Sequence, residues 1–196
     1  MTSRPTSLAL GAALLALVML GSCSGDDSPP GALPGFALAL TATDVQPVKP
    51  PAPPFPDDVK AAVMATLNSY LSTAVVQPLR TGRPPRGVEA LFTAAAGPRL
   101  AGPDRAALVE EGAESGNVRK DKADVKLTAL TGPGGEVVLV TAQLDIALLV
   151  ASRTGRLGVA RAGEVVLVPE ANAWRIDSYD LRTQRDRPPM PPPPPA

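Results

Sequence analysis

Proline placement sets the first limit on what this chain can fold into. The sequence holds 24 prolines in 196 residues, more than twice the usual share of about 5%, and they gather at its two ends. Pro29, Pro30, Pro34, Pro47, Pro50, Pro51, Pro53, Pro54 and Pro56 fall within residues 24–56, and Pro188, Pro189 and Pro191 to Pro195 close the chain. Such stretches favour extended polyproline II backbone, rising about 3.1 Å per residue where rigid, and do not build a packed core. The sequence therefore divides into a leader over 1–22, a proline-rich tether over 23–56, one domain over 57–187 and a polyproline tail over 188–196. About 130 central residues suffice for one core. The tail reads as solvated, with an exposed ligand for an aromatic groove or a stiff cell-wall spacer as the other readings. One apolar interruption, Phe36 to Leu40, is open to two: an added strand docked on the domain, or a segment lying near a lipid surface.

The leader has the layout of an export signal. Arg4 supplies the positive charge, Leu8 to Leu20 an apolar stretch, and Gly21 and Ser22 the small residues that follow. The stretch is short of the roughly 20 apolar residues a bilayer-crossing helix needs, and Ser24-Gly25-Asp26-Asp27 follows at once. Leu20-Gly21-Ser22-Cys23 resembles the bacterial lipobox. That resemblance implies a diacylglyceryl group on the Cys23 thiol, cleavage before it and further acylation, palmitate included, of the new amine. Two or more acyl chains at about 0.8 kcal/mol per buried methylene anchor a protein stably. Cys23 is the sole cysteine, so an intramolecular disulfide is excluded. The expected location is extracytoplasmic, lipid-anchored to the outer face of the cell membrane.

Charge excludes one class of partner. Taking Arg4 away from the 19 basic residues leaves 18 against 19 acidic ones. With that balance, and only one tryptophan, two tyrosines and three phenylalanines, the chain lacks the basic face and stacking surfaces of a nucleic-acid binder.

Periodicity then orders the domain. Asp57 and Asp58 open a long amphipathic helix carrying Val59, Val63, Leu67, Tyr70, Leu71 and Ala74, expected to end near Gln77 because Pro78 lacks a donor. A short helix over Gly87 to Thr93 turns Leu91 and Phe92 inward, and a third starts at Pro103 and stops at Gly112. Past Val118 the period changes to two, with Val125, Leu127 and Ala129 against Asp124, Lys126 and Thr128. Gly132-Pro133-Gly134-Gly135 makes a turn. Residues 136–150 read as a central strand covered on both faces and long enough to invite a bulge. Strands over Leu157 to Val168 and Ala173 to Arg182 follow, joined by Pro169-Glu170-Ala171-Asn172.

That order, with the closing Ala173-Trp174-Arg175-Ile176-Asp177-Ser178-Tyr179, resembles NTF2-like domains of the cystatin-like α+β class over about residues 57–182. Small lipoproteins of high-GC Gram-positive bacteria are similar in layout. The resemblance implies an α+β fold: a long N-terminal helix and two short ones packed on a curved four-stranded antiparallel sheet, forming an NTF2-like cone.

Chemistry is sparse. The chain has no histidine, which removes the commonest general base and excludes Ser-His-Asp and Cys-His arrangements and the usual zinc sites. No cofactor is expected, and only an all-carboxylate metal site is conceivable. The candidate pocket residues are Gln143, Asp145, Trp174 and Tyr179, with Asp177 and Asp180 as further carboxylates. Pointed into a cone, Gln143 and Asp145 would bind a polar ligand, and a desolvated Asp145 would suit proton transfer. Strand alternation by itself instead puts Thr141, Gln143 and Asp145 on a solvent face, and Trp174 in the core. Arg119-Lys120-Asp121-Lys122 reads as a solvated strand entrance, with contact to anionic headgroups as its alternative. The sequence thus leads to a non-catalytic anchored protein that binds or scaffolds an envelope protein or a second copy of itself. A small apolar molecule or lipid in the cone is the next reading, and a carboxylate enzyme the third.

Overall fold

The computed structural model describes residues 30–111 and 115–186. The leader, Cys23 and the polyproline tail lie outside them. The chain runs β1 (Ala39–Gln46), a helix of 25 residues, short helical turns, then β2 (Asn117–Thr131), β3 (Val137–Ser152), β4 (Gly155–Glu170) and β5 (Ala173–Asp186). All five strands form one sheet in the order β1-β2-β3-β4-β5. Neighbours from β2 to β5 are antiparallel, whereas β1 pairs parallel with β2, Leu40 opposite Val125 and Gln46 opposite Leu130.

This mixed five-stranded sheet overturns the expected four-stranded antiparallel sheet with its N-terminal helix and NTF2-like cone. A strand precedes the helix, and the helix belongs to the long crossover that a parallel pair requires. Of the two readings of Phe36 to Leu40, the added strand is the one found, shifted toward Gln46. Its start is pinned by the buried Asn68, whose Oδ1 accepts the Leu38 N–H at 2.9 Å.

The helix comprises α1 (Asp57–Tyr70), a π-helical segment (Leu71–Val76) and α2 (Gln77–Thr81). It passes the expected stop at Gln77 and ends at Gly82, in the left-handed conformation that glycine adopts without strain. The π segment explains how Pro78 is accommodated. Gln77 N–H reaches back to Ser72 O, and the Ala74 carbonyl, which Pro78 has no N–H to satisfy, accepts the Glu110 N–H at 2.8 Å. The two further helices expected are single turns: a 3-10 turn at Val88–Leu91 and α3 (Arg105–Leu108), with another 3-10 turn at Gly97–Ala101. Phe92, Leu108 and Val109 are buried as the periodicity requires.

Along β2, β3 and β4 the burial alternates. Val125, Leu127, Val140, Ala142, Leu144, Ile146, Val165 and Leu167 face the helix and form the core with Val63, Leu67, Leu71 and Leu79. Contrary to expectation, β3 is covered on one face only. Thr141, Gln143, Asp145, Ala147 and Leu149 point away from the helix and are exposed or half-buried. Bulges fall where one residue lacks a partner across the ladder: Asp121 on β2, Val138 on β3 and Asp177 on β5.

Replacing Asn68 with Ala leaves the buried Leu38 N–H unpaired, so the variant should lose about 1–3 kcal/mol in urea denaturation. Hydrogen exchange should show β1 amides deprotected ahead of those in β3. Equal protection in both strands would show that β1 does not depend on this bond.

Candidate functional site

The candidate residues separate into two places. Gln143 and Asp145 lie on the sheet face turned away from the helix, in an open groove of about 330 Å³ shared with Lys122, Asp124 and Lys126. Ala162 and Gly163 form its floor, where β4 offers almost no side chain. Asp124 and Asp145 stand directly opposite across the β2–β3 ladder, a like-charge pair that repels on its own. Lys122 answers both: it pairs with Asp145 and lies 3.8 Å from Asp124. The hydrogen bond to Asp145 holds the Lys122 ammonium above the ordinary lysine range. Asp145 is more than half exposed, so it is not the desolvated acid that proton transfer would call for.

Trp174 and Tyr179 are on β5, against the helix and its neighbouring turns. The Trp174 carbonyl accepts a hydrogen bond from Thr66 Oγ1 at 2.8 Å, and the residue lines a shallow groove of about 250 Å³ with Asp58, Val59 and Pro169. The Tyr179 ring meets Phe92 edge-on, and Phe92 meets Tyr70 in the same way, with centroids 6.2 and 6.5 Å apart. Tyr179 Oη donates to Asp104 Oδ2 at 2.8 Å. Lost hydration and then this bond to a carboxylate push the phenol up to about 12. Asp177 is held by Thr93 Oγ1 at 3.0 Å, beside the backbone bond from Thr93 N–H to Ile176 O, and so fastens a turn. Asp180 is exposed, opposite Glu164. Gln143 and Asp145 share a groove, and neither shares one with Trp174 or Tyr179.

The densest polar assembly lies elsewhere, on residues the sequence did not mark. Arg161 of β4 points inward and is 1% exposed, beside a Glu110 that is fully buried. Arg161 Nη2 donates to Glu110 Oε1 at 2.7 Å, while Nη1 donates to Tyr70 Oη at 2.9 Å and to Ala107 O at 2.8 Å. Tyr70 Oη in turn donates to Leu108 O at 2.7 Å. The second Glu110 oxygen accepts from Arg185 Nη2 at 2.8 Å and Nε at 3.2 Å. Arg161 Nε is buried without a hydrogen-bond partner among the described residues. Burial opposes the Arg161 charge, and the Tyr70 and Glu110 charges and hydrogen bonds outweigh it, leaving the guanidinium above its usual range. Burial likewise raises the Tyr70 phenol, against the pull of Arg161. A signal for this cluster does exist in the sequence: Arg161 shares the strand phase of Val159, Val165 and Leu167, and a cation on a core phase requires a buried acid.

The cluster lines neither of the two grooves above, and no group of three potential metal ligands occurs among the described residues. Its chemistry is that of a structural clamp joining the helix, the segment before β2, β4 and β5. Compared with known proteins, the chain matches no family model, no curated protein and no solved structure.

Arg161→Met strands the Glu110 carboxylate in the core and should cost about 3–5 kcal/mol in chemical denaturation, whereas Asp145→Asn should stay within about 0.5 kcal/mol of the parent. Equal losses would contradict this ranking. At high pH the sign follows from the tyrosines. Their folded values lie above the ordinary 10.0, so the unfolded chain loses its phenolic protons first. The Tyr179 contribution is complete below pH 10.0 and is lost as pH rises toward about 12. Tyr179→Phe should flatten that part of a stability–pH curve.

Proposed function

We propose that this chain is an exported lipoprotein of the bacterial envelope, held to the outer face of the cell membrane through Cys23, whose single domain binds or scaffolds a protein partner without catalysing a reaction. The observation that carries this reading is Leu20-Gly21-Ser22-Cys23, set directly after an apolar stretch of signal length and containing the sole cysteine. The form of the grooves supports the binding half of it. The grooves at Gln143 and at Trp174 are open, and in the first of them Lys122 is already paired with Asp124 and Asp145, with Lys126 beside them. Such a surface suits contact with another macromolecule better than enclosure of a small substrate. The reading of a ligand held in a cone loses its premise with the cone.

The test is the intact mass of membrane-extracted protein beside a Cys23→Ala version. The expected parent mass shows loss of residues 1–22 and the addition of acyl chains, with both absent from the variant. An unacylated parent released to the medium would overturn the anchor and leave a freely diffusing secreted binder.

A further inference from the structure

Charge is sorted along the long axis of the sheet. At one end the helix begins with Asp57 and Asp58, packed near the β4–β5 turn and its Glu170, with Glu136 in the β2–β3 turn. Two cations there, Lys60 and Arg175, are paired with Asp57 and Glu170. The opposite end carries mostly arginines, beside the carboxylates Asp121 and Asp186. Arg80, Arg83 and Arg86 surround the end of the helix, Arg119 starts β2, and Arg153 and Arg156 flank the β3–β4 turn. The chain joins these segments directly: Gly116 N–H donates to Leu79 O, and Asn117 and Arg156 both stand opposite Ala151 in the ladders.

All six arginines are exposed. Arg119 pairs with Asp121, while Arg80, Arg83, Arg86, Arg153 and Arg156 make no ion pair among the described residues. They border two open grooves, one of about 460 Å³ with Arg83 and Arg86 and one of about 230 Å³ with Arg119 and Arg156, and neither is lined by a carboxylate. Unpaired guanidiniums spread over one end of a fold, and not gathered in a pocket, match a plane of negative charge.

We propose that this arginine end rests on anionic lipid headgroups and so orients the domain on the membrane. The inference rests on the lipid anchor for its location, and the chain length outside the described fold supports it. Gly31 and Leu33 are already fixed to the helix, the Gly31 carbonyl accepting from Ser72 Oγ and the Leu33 N–H donating to the same oxygen, each at 2.9 Å. Pro30 is only seven positions beyond Cys23, a reach of at most about 25 Å. From Ser72 to the helix end at Thr81 is about 14 Å along the axis, against about 22 Å back to Asp57, so the arginine end is the nearer of the two to the point where the anchor's chain joins the fold. The paired charges at the far end then point away from the membrane. Basic clusters beside a lipid anchor provide the second attachment that acyl chains are commonly combined with.

The test uses the mature chain from residue 23 with Cys23→Ser, which keeps every described residue and carries no lipid. Its result is therefore independent of acylation, which the mass measurement reads separately. Co-sedimentation is measured with phosphatidylcholine vesicles, with and without about one third phosphatidylglycerol. Binding should require phosphatidylglycerol and weaken as salt rises. R80Q/R83Q/R86Q and R153Q/R156Q should each weaken it by about fivefold per charge removed, while K49Q/K60Q, which removes two cations elsewhere, leaves it unchanged. Equal binding to both vesicles, or parent-like binding by both arginine variants, would overturn the proposal. Displacement by glycerol phosphate at matched ionic strength would assign the arginines to a soluble anion and overturn it equally.

Discussion

The carboxylate of Glu110 is the constraint from which most of this structure follows. An ionised group taken out of water costs several kcal/mol unless fully paired, and this one lies in the core. Arg161 and Arg185 each take one of its oxygens, and Tyr70 and the Ala107 carbonyl orient Arg161. The Glu110 N–H is committed as well, to the Ala74 carbonyl that Pro78 leaves open in the helix. One residue thereby fixes the path of the helix past its proline, the approach of the segment before β2, and the register of β4 and β5 against both. Apolar packing supplies most of the driving force for folding but is non-directional. The clamp adds direction, because few arrangements satisfy so many donors and acceptors together.

On that frame the sheet has two different faces. One is a closed apolar layer against the helix, and the other is a surface of paired charges and small residues around Lys122, Asp145 and Ala162. Addition of β1 by parallel pairing draws the proline-rich segment onto the domain. Under the membrane-facing orientation proposed above, the sorting of arginines to one end would orient the domain where the net charge, close to zero, does not.

Strands β2 to β5 and their turns were legible because β2 alternates residue by residue, β3 is a long run rich in Val, Leu and Ile, and turn signals stand at Gly132 to Gly135 and Pro169 to Asn172. Strand β1 was legible only as one of two readings of Phe36 to Leu40 and its parallel pairing was missed, since most of its residues are exposed and Thr41, Thr43 and Asp44 leave no apolar face to detect. Missing it converted a mixed sheet into an antiparallel one and suggested the wrong architecture. Pro78 read as a stop because its missing donor is local information, whereas the partner that compensates for it, Glu110, comes from distant sequence. Alternation also placed Gln143 and Asp145 on an outer face, where they are found. Trp174 and Tyr179 were grouped with them on chemical type alone; five residues apart, they share the helix-facing side only because the bulge at Asp177 shifts the phase between them. The buried pair went unnoticed because Glu110 sits in an acidic doublet that looks like a solvated helix end.

A double-mutant cycle on Glu110→Gln and Arg161→Met tests the clamp most directly. The account predicts that each single change is strongly destabilising in urea and that the pair together costs much less than their sum, with a coupling energy of about 2–3 kcal/mol. Losses that add to within about 0.5 kcal/mol would show that the two groups act independently and would contradict the central place given to this pair.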